Sequence, residues 1–312
     1  MAPGKLVDAE PCSVPDSHLL EQISDDVDLV NIMKAKIDKS GSQAPHLNKE
    51  KDKSNFRQYD KACERVKEFY REQHEKQTVA YNIEARRQFQ SKVRARMTVW
   101  EAIEKLDTLI DESDPDISLS QIHHLLQSAE AIRHDGKPRW MQLVGLIHDL
   151  GKLLFFFGAQ GQWDVVGDTF PVGCAFDERI IYPETFANNP DSTHEVYSTK
   201  FGIYKPNCGM YNVMLSWGHD EYLYNVVKTQ STLPEEALAM IRYHSCYPWH
   251  TEGAYKELMN EHDHQMLKAV QEFNPYDLYS KSDKIPNIED LKVCLPLFEL
   301  WRTTIFAPCS NY

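Results

Sequence analysis

The sequence predicts an all-α protein, and two observations carry this prediction. Apolar residues recur at intervals of three and four between charged residues along most of the chain after Phe56, which is the spacing of amphipathic helices. The alternation of apolar and polar residues that marks a half-buried strand is scarce, and no internal repeat is visible. A chain of 312 residues is compatible with one large domain. We therefore expect residues 56–312 to form a single helical domain, and the polar, proline-containing residues 1–55 to form a disordered tail.

The helical spacing, and the residues that break it, divide the chain into successive elements. Residues 28–36 match one short helix within the tail. Residues 111–116 (DESDPD) predict a turn, and residues 158–190, rich in Gly, Pro and aromatics, predict a long ordered loop with room for a short hairpin. Thr232 and Glu235 match a capping box with proline in the first turn. The predicted helices of the domain cover about 59–70, 79–93, 100–110, 119–133, 140–157, 209–228, 233–247 and 253–273.

The composition excludes several classes of protein and partner. The 34 basic and 47 acidic residues give a net charge of −13, which repels phosphate backbones, and we read the basic run at 86–96 as a solvated helix face rather than a nucleic-acid site. Seven scattered cysteines without a Cys-x-x-Cys are typical of reduced thiols in the cytoplasm. We see no secretory signal, no membrane span and no sticky apolar stripe, so we expect a cytoplasmic protein without membrane contact, and a monomer.

Charged residues interrupt the most apolar segment of the chain, residues 143–154. A helix that is apolar all round should be buried. Burial of His148, Asp149 and Lys152 is costly unless each is paired or bound to a metal ion. On a helix, Lys152 lies one turn from the other two and shares their face.

Histidines on other predicted helices strengthen the case for metal. His219 and His244 fall in register with apolar neighbours and should point inward, and a fourth helix carries the pair His123 and His124, between which spacing alone does not choose. Imidazole and carboxylate ligands suit iron, zinc, manganese or nickel, and helix bundles commonly hold dinuclear carboxylate sites. With its two oxygens, Asp149 is the best bridging ligand.

Eight short segments in a fixed order, between about Phe56 and Phe306, resemble the myo-inositol oxygenase family. Within them His124, the pair His148 and Asp149, and Asp277 match the His, His-Asp and distal Asp of the HD-domain superfamily. The His-Asp pair alone is a weak signal, whereas the ordered set is very specific. The segments are 56–59 (FRQY), 111–116 (DESDPD), 127–133 (QSAEAIR), 148–152 (HDLGK), 166–174 (VGDTFPVGC), 216–222 (SWGHDEY), 242–245 (RYHS) and 276–281 (YDLYSK).

The resemblance implies an HD-domain-like helical bundle with two iron ions in its core, mixed-valent Fe(II)/Fe(III) in the active form. It implies that His124, His148, Asp149 and Asp277 hold one iron, and that Asp149, His219 and His244 hold the other. The reaction implied is the four-electron ring cleavage of myo-inositol by O₂, which gives D-glucuronate and water.

The resemblance also assigns roles in catalysis and in substrate binding. Lys152 and Asp149 would be catalytic, with Lys152 placed to donate a hydrogen bond to the reacting substrate oxygen. The polyol hydroxyls would be bound by Arg57, Asp111, Ser113, Lys152, Gly167, Asp168, His244, Ser245 and Lys281. Apart from the resemblance, Asp111 fits ordinary turn chemistry and Asp168 fits a loop cap.

Two other functions are compatible with parts of this pattern. An HD-domain metal-dependent phosphohydrolase uses similar ligands to activate water, but Asp111 and Asp168 would repel a phosphate, and His219 and His244 are better explained by a second metal ion. A non-catalytic binding module would lack a ligand, and none is missing. Residues 300–312 differ from the short Trp-ending tail of the family, which concerns the packing of the tail and not the ligands.

Overall fold

Helices account for the regular structure of this computed structural model, which describes residues 59, 62–90, 93–113 and 120–279. In these residues one isolated antiparallel pairing, Pro171 with Leu215, is the only strand-like feature, so the all-α prediction is confirmed. The predicted tail, its short helix at 28–36 and the divergent residues 300–312 lie outside the described residues. The α-helices are α1 (Glu64–Lys76), α2 (Val79–Gln90), α3 (Val99–Leu106), α4 (Gln121–His134), α5 (Arg139–Ile147), α6 (His219–Gln230), α7 (Glu235–Tyr243), α8 (Tyr247–His250) and α9 (Glu261–Tyr279).

The segment predicted as one helix over 140–157 changes its winding at its charged residues. It is α-helical over Arg139–Ile147 and continues as a 3₁₀ helix over His148–Phe157. Residues three apart eclipse one another in a 3₁₀ helix, so Lys152 lies directly over Asp149. By length and composition Arg139–Phe157 is the one described stretch that could cross a membrane, but 72% of its most apolar 18-residue window is buried inside the protein, as in a core helix.

Several predicted helix boundaries in the second half are wrong. The helix expected from 209 begins only at His219, because residues 214–216 pair their backbone with the strand-like segment at 170–172. The capping box at Thr232 does not form, because a residue that precedes a proline disfavours helical geometry, and α7 begins after Pro234. Its predicted continuation to 247 stops at Tyr243, and Pro248 lies in the first turn of α8.

The hairpin expected within residues 158–190 is also absent from this described segment, which forms short 3₁₀ turns at Gln162–Asp164 and Pro183–Asn188. The helix predicted over 253–273 forms instead over Glu261–Tyr279, so its predicted bounds are wrong.

Close approach of two backbones brings the 3₁₀ helix against the beginning of α6. A Cβ atom at Gly151 would lie 2.0 Å from the carbonyl oxygen of His219, so only glycine fits at this position. The backbone N–H of His219 donates to the carbonyl of Val165 at 2.8 Å. These contacts hold His219 beside His148 and Asp149.

Buried polar side chains tie the helices together behind this region. Gln77, at the end of α1, donates to the carbonyls of Trp163 and Trp217 and accepts from the N–H of Trp217. The basic run at 86–96 predicts a solvated helix face, but Arg86 is turned inward and this prediction is wrong for it. It donates to the carbonyl of Leu215 at 2.7 Å and stacks over Trp217, because α2 packs this side against the chain before α6.

Candidate metal centre

The first cluster of predicted ligands joins α4, the 3₁₀ helix and α9. Nε2 of His124 and Nε2 of His148 lie 3.2 Å apart. Oδ1 of Asp277 lies 3.1 Å from the first nitrogen and 3.2 Å from the second. Oδ2 of Asp149 faces the same two nitrogens at 3.6 and 3.7 Å. Two imidazoles and two carboxylates therefore converge on one point.

The second cluster lies on the other side of Asp149. Nε2 of His219, at the beginning of α6, and Nε2 of His244, at the end of α7, are 3.2 Å apart. Oδ1 of Asp149 lies 3.5 Å from each of them. Each oxygen of Asp149 thus faces a different pair of histidines, which is the arrangement of a carboxylate between two cations.

The hydrogen bonds of the histidines show whether this donor set fits metal ions. Nδ1 of His148, His219 and His244 contacts the backbone carbonyls of Gly145, Val165 and Ile241 at 3.0, 2.7 and 3.0 Å. A carbonyl accepts only, so each Nδ1 carries a proton and each Nε2 is the ring nitrogen that faces the carboxylates. Two imidazole nitrogens that face each other at 3.2 Å need a proton or a cation between them, so the buried site fits metal ions.

The electrostatics of the cluster keep its acids ionised. Burial acts to raise the pKa of Asp149, but the charges of Lys152 and His148 outweigh it and hold this pKa well below its usual range. The pKa of Asp277 is likewise held down, against burial, by hydrogen bonds from His124 and His148. Both side chains offer metal ions a full negative charge at neutral pH.

Two histidines of the cluster respond to their surroundings in opposite directions. Burial lowers the pKa of His124, which leaves its imidazole neutral and ready to ligate. Burial also acts against the charged form of His244, but the charge of Asp220 raises its pKa to about 9. A metal ion that binds His244 at neutral pH therefore displaces a proton.

A first arm of the site, formed by Lys152, Asp111 and Ser113, connects the cluster to the loop after α3. Nζ of Lys152 lies 2.9 Å from Oδ2 of Asp149 and 2.9 Å from Oδ2 of Asp111. The other oxygen of Asp111 accepts from the backbone N–H and the hydroxyl of Ser113, at 2.9 and 2.5 Å. Asp111 therefore both closes the predicted turn and pairs with Lys152, whose pKa its charge and that of Asp149 raise against burial.

A second arm of the site is formed by the loop at residues 167–169 together with Ser245. Gly167, at φ +89°, turns the chain so that Asp168 is buried. The hydroxyl of Tyr70 donates to Oδ1 of Asp168 at 3.4 Å. Next along the chain, the backbone N–H of Thr169 donates to the carbonyl of Ser245 at 2.9 Å. The hydroxyl of Ser245 lies 3.2 Å from Nε2 of His219, so this arm reaches the second cluster.

Asp220 is a residue of this site that the sequence analysis missed. Its Oδ1 lies 2.8 Å from Nε2 of His219 and 3.4 Å from Nε2 of His244, and its Oδ2 accepts from the Thr169 hydroxyl and the Ser245 N–H. It belongs with His219 and His244 to a group of ligand atoms that all lie within 4.8 Å of one another. Its position directly after a predicted inward histidine was the available signal.

Most of the predicted site residues come together in this structure. His124 joins the cluster, whereas His123 turns aside to the hydroxyl of Ser120 at 2.7 Å. Arg57 and Lys281 lie outside the described residues.

Comparison with known proteins gives a consistent result. The family model described as myo-inositol oxygenase matches residues 63–299. Inositol oxygenase 1 of Arabidopsis thaliana is 50% identical over 260 residues, which cover 81% of this chain and 83% of that protein. The inositol oxygenase of Dictyostelium discoideum is 50% identical over 249 residues (78% of this chain and 85% of that protein), and that of Sus scrofa is 48% identical over 248 residues (78% and 87%).

Proposed function

The chain belongs to the myo-inositol oxygenase family, and from that premise we propose that it cleaves the ring of myo-inositol with O₂ at a centre of two iron ions. It is an inositol oxygenase, an enzyme that oxidises myo-inositol. The reaction balances as one myo-inositol and one O₂ to one D-glucuronate and one water. One ring C–C bond breaks and four electrons pass from the polyol to O₂, so no other reductant is needed.

The position of Asp149 is the observation that carries the proposal. Its two oxygens face separate histidine pairs at 3.5–3.7 Å, which supports two ions that share this carboxylate. His124, His148 and Asp277 would complete one site, and His219 and His244 the other. When bound, two iron ions polarise substrate hydroxyl groups and exchange electrons with substrate and O₂.

The residues of the protein bind and orient the polyol. Lys152 stays protonated, because two carboxylates raise its pKa, and it donates a hydrogen bond to the substrate oxygen that loses its proton. Asp111 accepts from a neighbouring hydroxyl while it holds Lys152 in place. Ser113 on one side, and the loop at Gly167 with Ser245 on the other, suit a ligand with many hydroxyl groups and no net charge.

The surroundings of the site exclude bulk water. Asp149 and the four histidines of the cluster are almost fully buried, so hydrogen bonds and charges act there with little screening. We assign Asp168 to substrate binding as well, because it is buried beside Thr169 on the arm that reaches the second cluster. Arg57 and Lys281 complete the proposed set through the family resemblance.

The proposal extends to the setting of the enzyme. The four described cysteines, Cys63, Cys174, Cys208 and Cys246, are all free thiols, which supports a reducing compartment such as the cytoplasm. We propose that the enzyme acts there as a monomer.

The test is O₂ uptake by iron-loaded, partly reduced protein given myo-inositol, with glucuronate assayed in the same sample. The proposal predicts one glucuronate for each O₂ consumed, and no uptake by protein stripped of metal. Absence of glucuronate from a protein that holds two irons would contradict it. Phosphate release from a phosphomonoester in its place would indicate the phosphohydrolase function.

A further inference from the structure

Gln162 makes an unusual pair of contacts with the loop after α3. Its Oε1 accepts from the backbone N–H of Glu112 at 2.9 Å, and its Nε2 donates to the backbone carbonyl of Ile110 at 2.8 Å. One side-chain amide thus holds the chain on both sides of a single residue, Asp111. That residue carries the carboxylate that pairs with Lys152.

Leu109 packs into the core before this point, but the next side chain, Ile110, is 69% exposed and contributes little packing. Among the described residues, no other hydrogen bond reaches the carbonyl of Ile110 or the amide of Glu112. Beyond the anchor at Leu109, the position of Asp111 therefore depends on hydrogen bonds of the backbone on either side to Gln162 and on the contacts of its carboxylate with Lys152 and Ser113.

Gln162 itself stands on a rigid part of the fold. Its backbone carbonyl accepts from the N–H groups of Val165 and Val166 at 2.9 and 3.0 Å, and the next residue, Trp163, is buried. The same segment continues to Gly167 and Asp168 of the other arm. Gln162 therefore connects the two arms that the proposed function assigns to the substrate.

We propose that Gln162 is a positioning residue for substrate binding, which holds the loop of Asp111 so that Asp111, Ser113 and Lys152 face the polyol. This inference rests on the proposed function. Loss of both hydrogen bonds lowers the fraction of enzyme with the loop in place, and the apparent affinity falls by the same fraction. Bound substrate restores the loop through its own contacts, so turnover at saturation changes little.

Two matched variants of the full, iron-loaded chain provide the test. Gln162→Met keeps the size of the side chain and removes both hydrogen bonds. Gln160→Met, two residues earlier, changes an exposed glutamine in the same segment and is the control. We expect Gln162→Met to raise KM for myo-inositol about tenfold with kcat within about twofold, which corresponds to about 1.4 kcal/mol of binding. Gln160→Met should match the wild type.

A second readout does not depend on turnover. Hydrogen exchange of the peptide that contains Glu112 should accelerate in Gln162→Met and not in Gln160→Met, because only the first variant frees that amide. Unchanged exchange, or an unchanged KM, would overturn the inference, and so would a fall in thermal stability without a change in KM. If the wild type formed no glucuronate, the proposed function would fail, while exchange would still decide whether Gln162 holds the loop.

Discussion

Removal of the charge of Lys152 is the perturbation that the structure predicts most sharply. Lys152→Met retains most of the stem of the side chain and leaves Asp111 and Asp149 without the ammonium group that lies 2.9 Å from each. Metal ions can compensate Asp149, but among the described residues Asp111 has no other cationic partner for its Oδ2 atom. The variant therefore buries one uncompensated carboxylate.

The magnitude follows from that burial. Removal of one member of a buried ion pair costs about 3–5 kcal/mol, and we take the lower value because Ser113 continues to donate to Asp111. At about 2–4 °C per kcal/mol for a domain of this size, Tm of the iron-loaded enzyme should fall by about 6–12 °C. Iron content should not change, whereas kcat/KM should fall about 10- to 100-fold, the value of a hydrogen bond to a charged group.

Thermal unfolding, metal analysis and kinetics on the same preparation check this prediction. The control is Lys137→Met, which breaks a 2.7 Å ion pair with Glu272 between partly exposed side chains (31% and 47%). Exposed pairs contribute at most about 1 kcal/mol, so this variant should remain close to wild type in all three measurements. Equal losses of Tm in the two variants would show that the pair of Lys152 with Asp111 is no more stabilising than a surface pair, and normal kcat/KM in Lys152→Met would remove Lys152 from substrate binding.

Three further predictions concern other parts of the molecule. Asp149→Asn should reduce bound iron to at most one ion per chain in a metal assay, because an amide cannot present two anionic oxygens to two ions; two retained ions would contradict the bridge. His74 is buried, its Nε2 has no hydrogen-bond partner, and burial lowers its pKa from 6.5 to about 3. Below pH 6.5 this histidine is therefore protonated in the unfolded chain but stays neutral in the native state. The free energy of unfolding should thus fall by roughly 2 kcal/mol between pH 6.5 and about pH 5. Denaturant titrations should show a smaller loss in His74→Phe. Glu221→Gln removes the buried carboxylate that lies 2.9 Å from Arg242 and also pairs with Arg86. It should lower the free energy of unfolding by about 3 kcal/mol or more, and a loss below about 1 kcal/mol would show that this ion pair does not stabilise the fold.

The inward direction of the histidines could be predicted because it follows from local pattern. A helix apolar on every side must be buried, and the buried His148 and Asp149 then require partners. His244 has the register of its helix and does lie in the cluster. The placement of His219 was right for a different reason, since its helix begins at that residue and a backbone approach at Gly151 fixes its position.

Features that depend on distant parts of the chain could not be predicted. The inward turn of Arg86 depends on the carbonyl of Leu215, which lies 129 positions away in the sequence. The double contact of Gln162 joins positions about fifty residues apart, and no local spacing indicates it. The pairing of Asp111 with Lys152 likewise required the fold, although the turn at Asp111 was evident from its neighbours.

The central claim is that Asp149 lies between two metal ions, and a crystal structure of the iron-loaded enzyme, with anomalous data collected on both sides of the iron absorption edge, tests it most directly. We expect two anomalous peaks, one beside His124, His148 and Asp277 and one beside His219 and His244, with one oxygen of Asp149 directed to each. A single peak, or a pair of peaks that does not share Asp149, would contradict it.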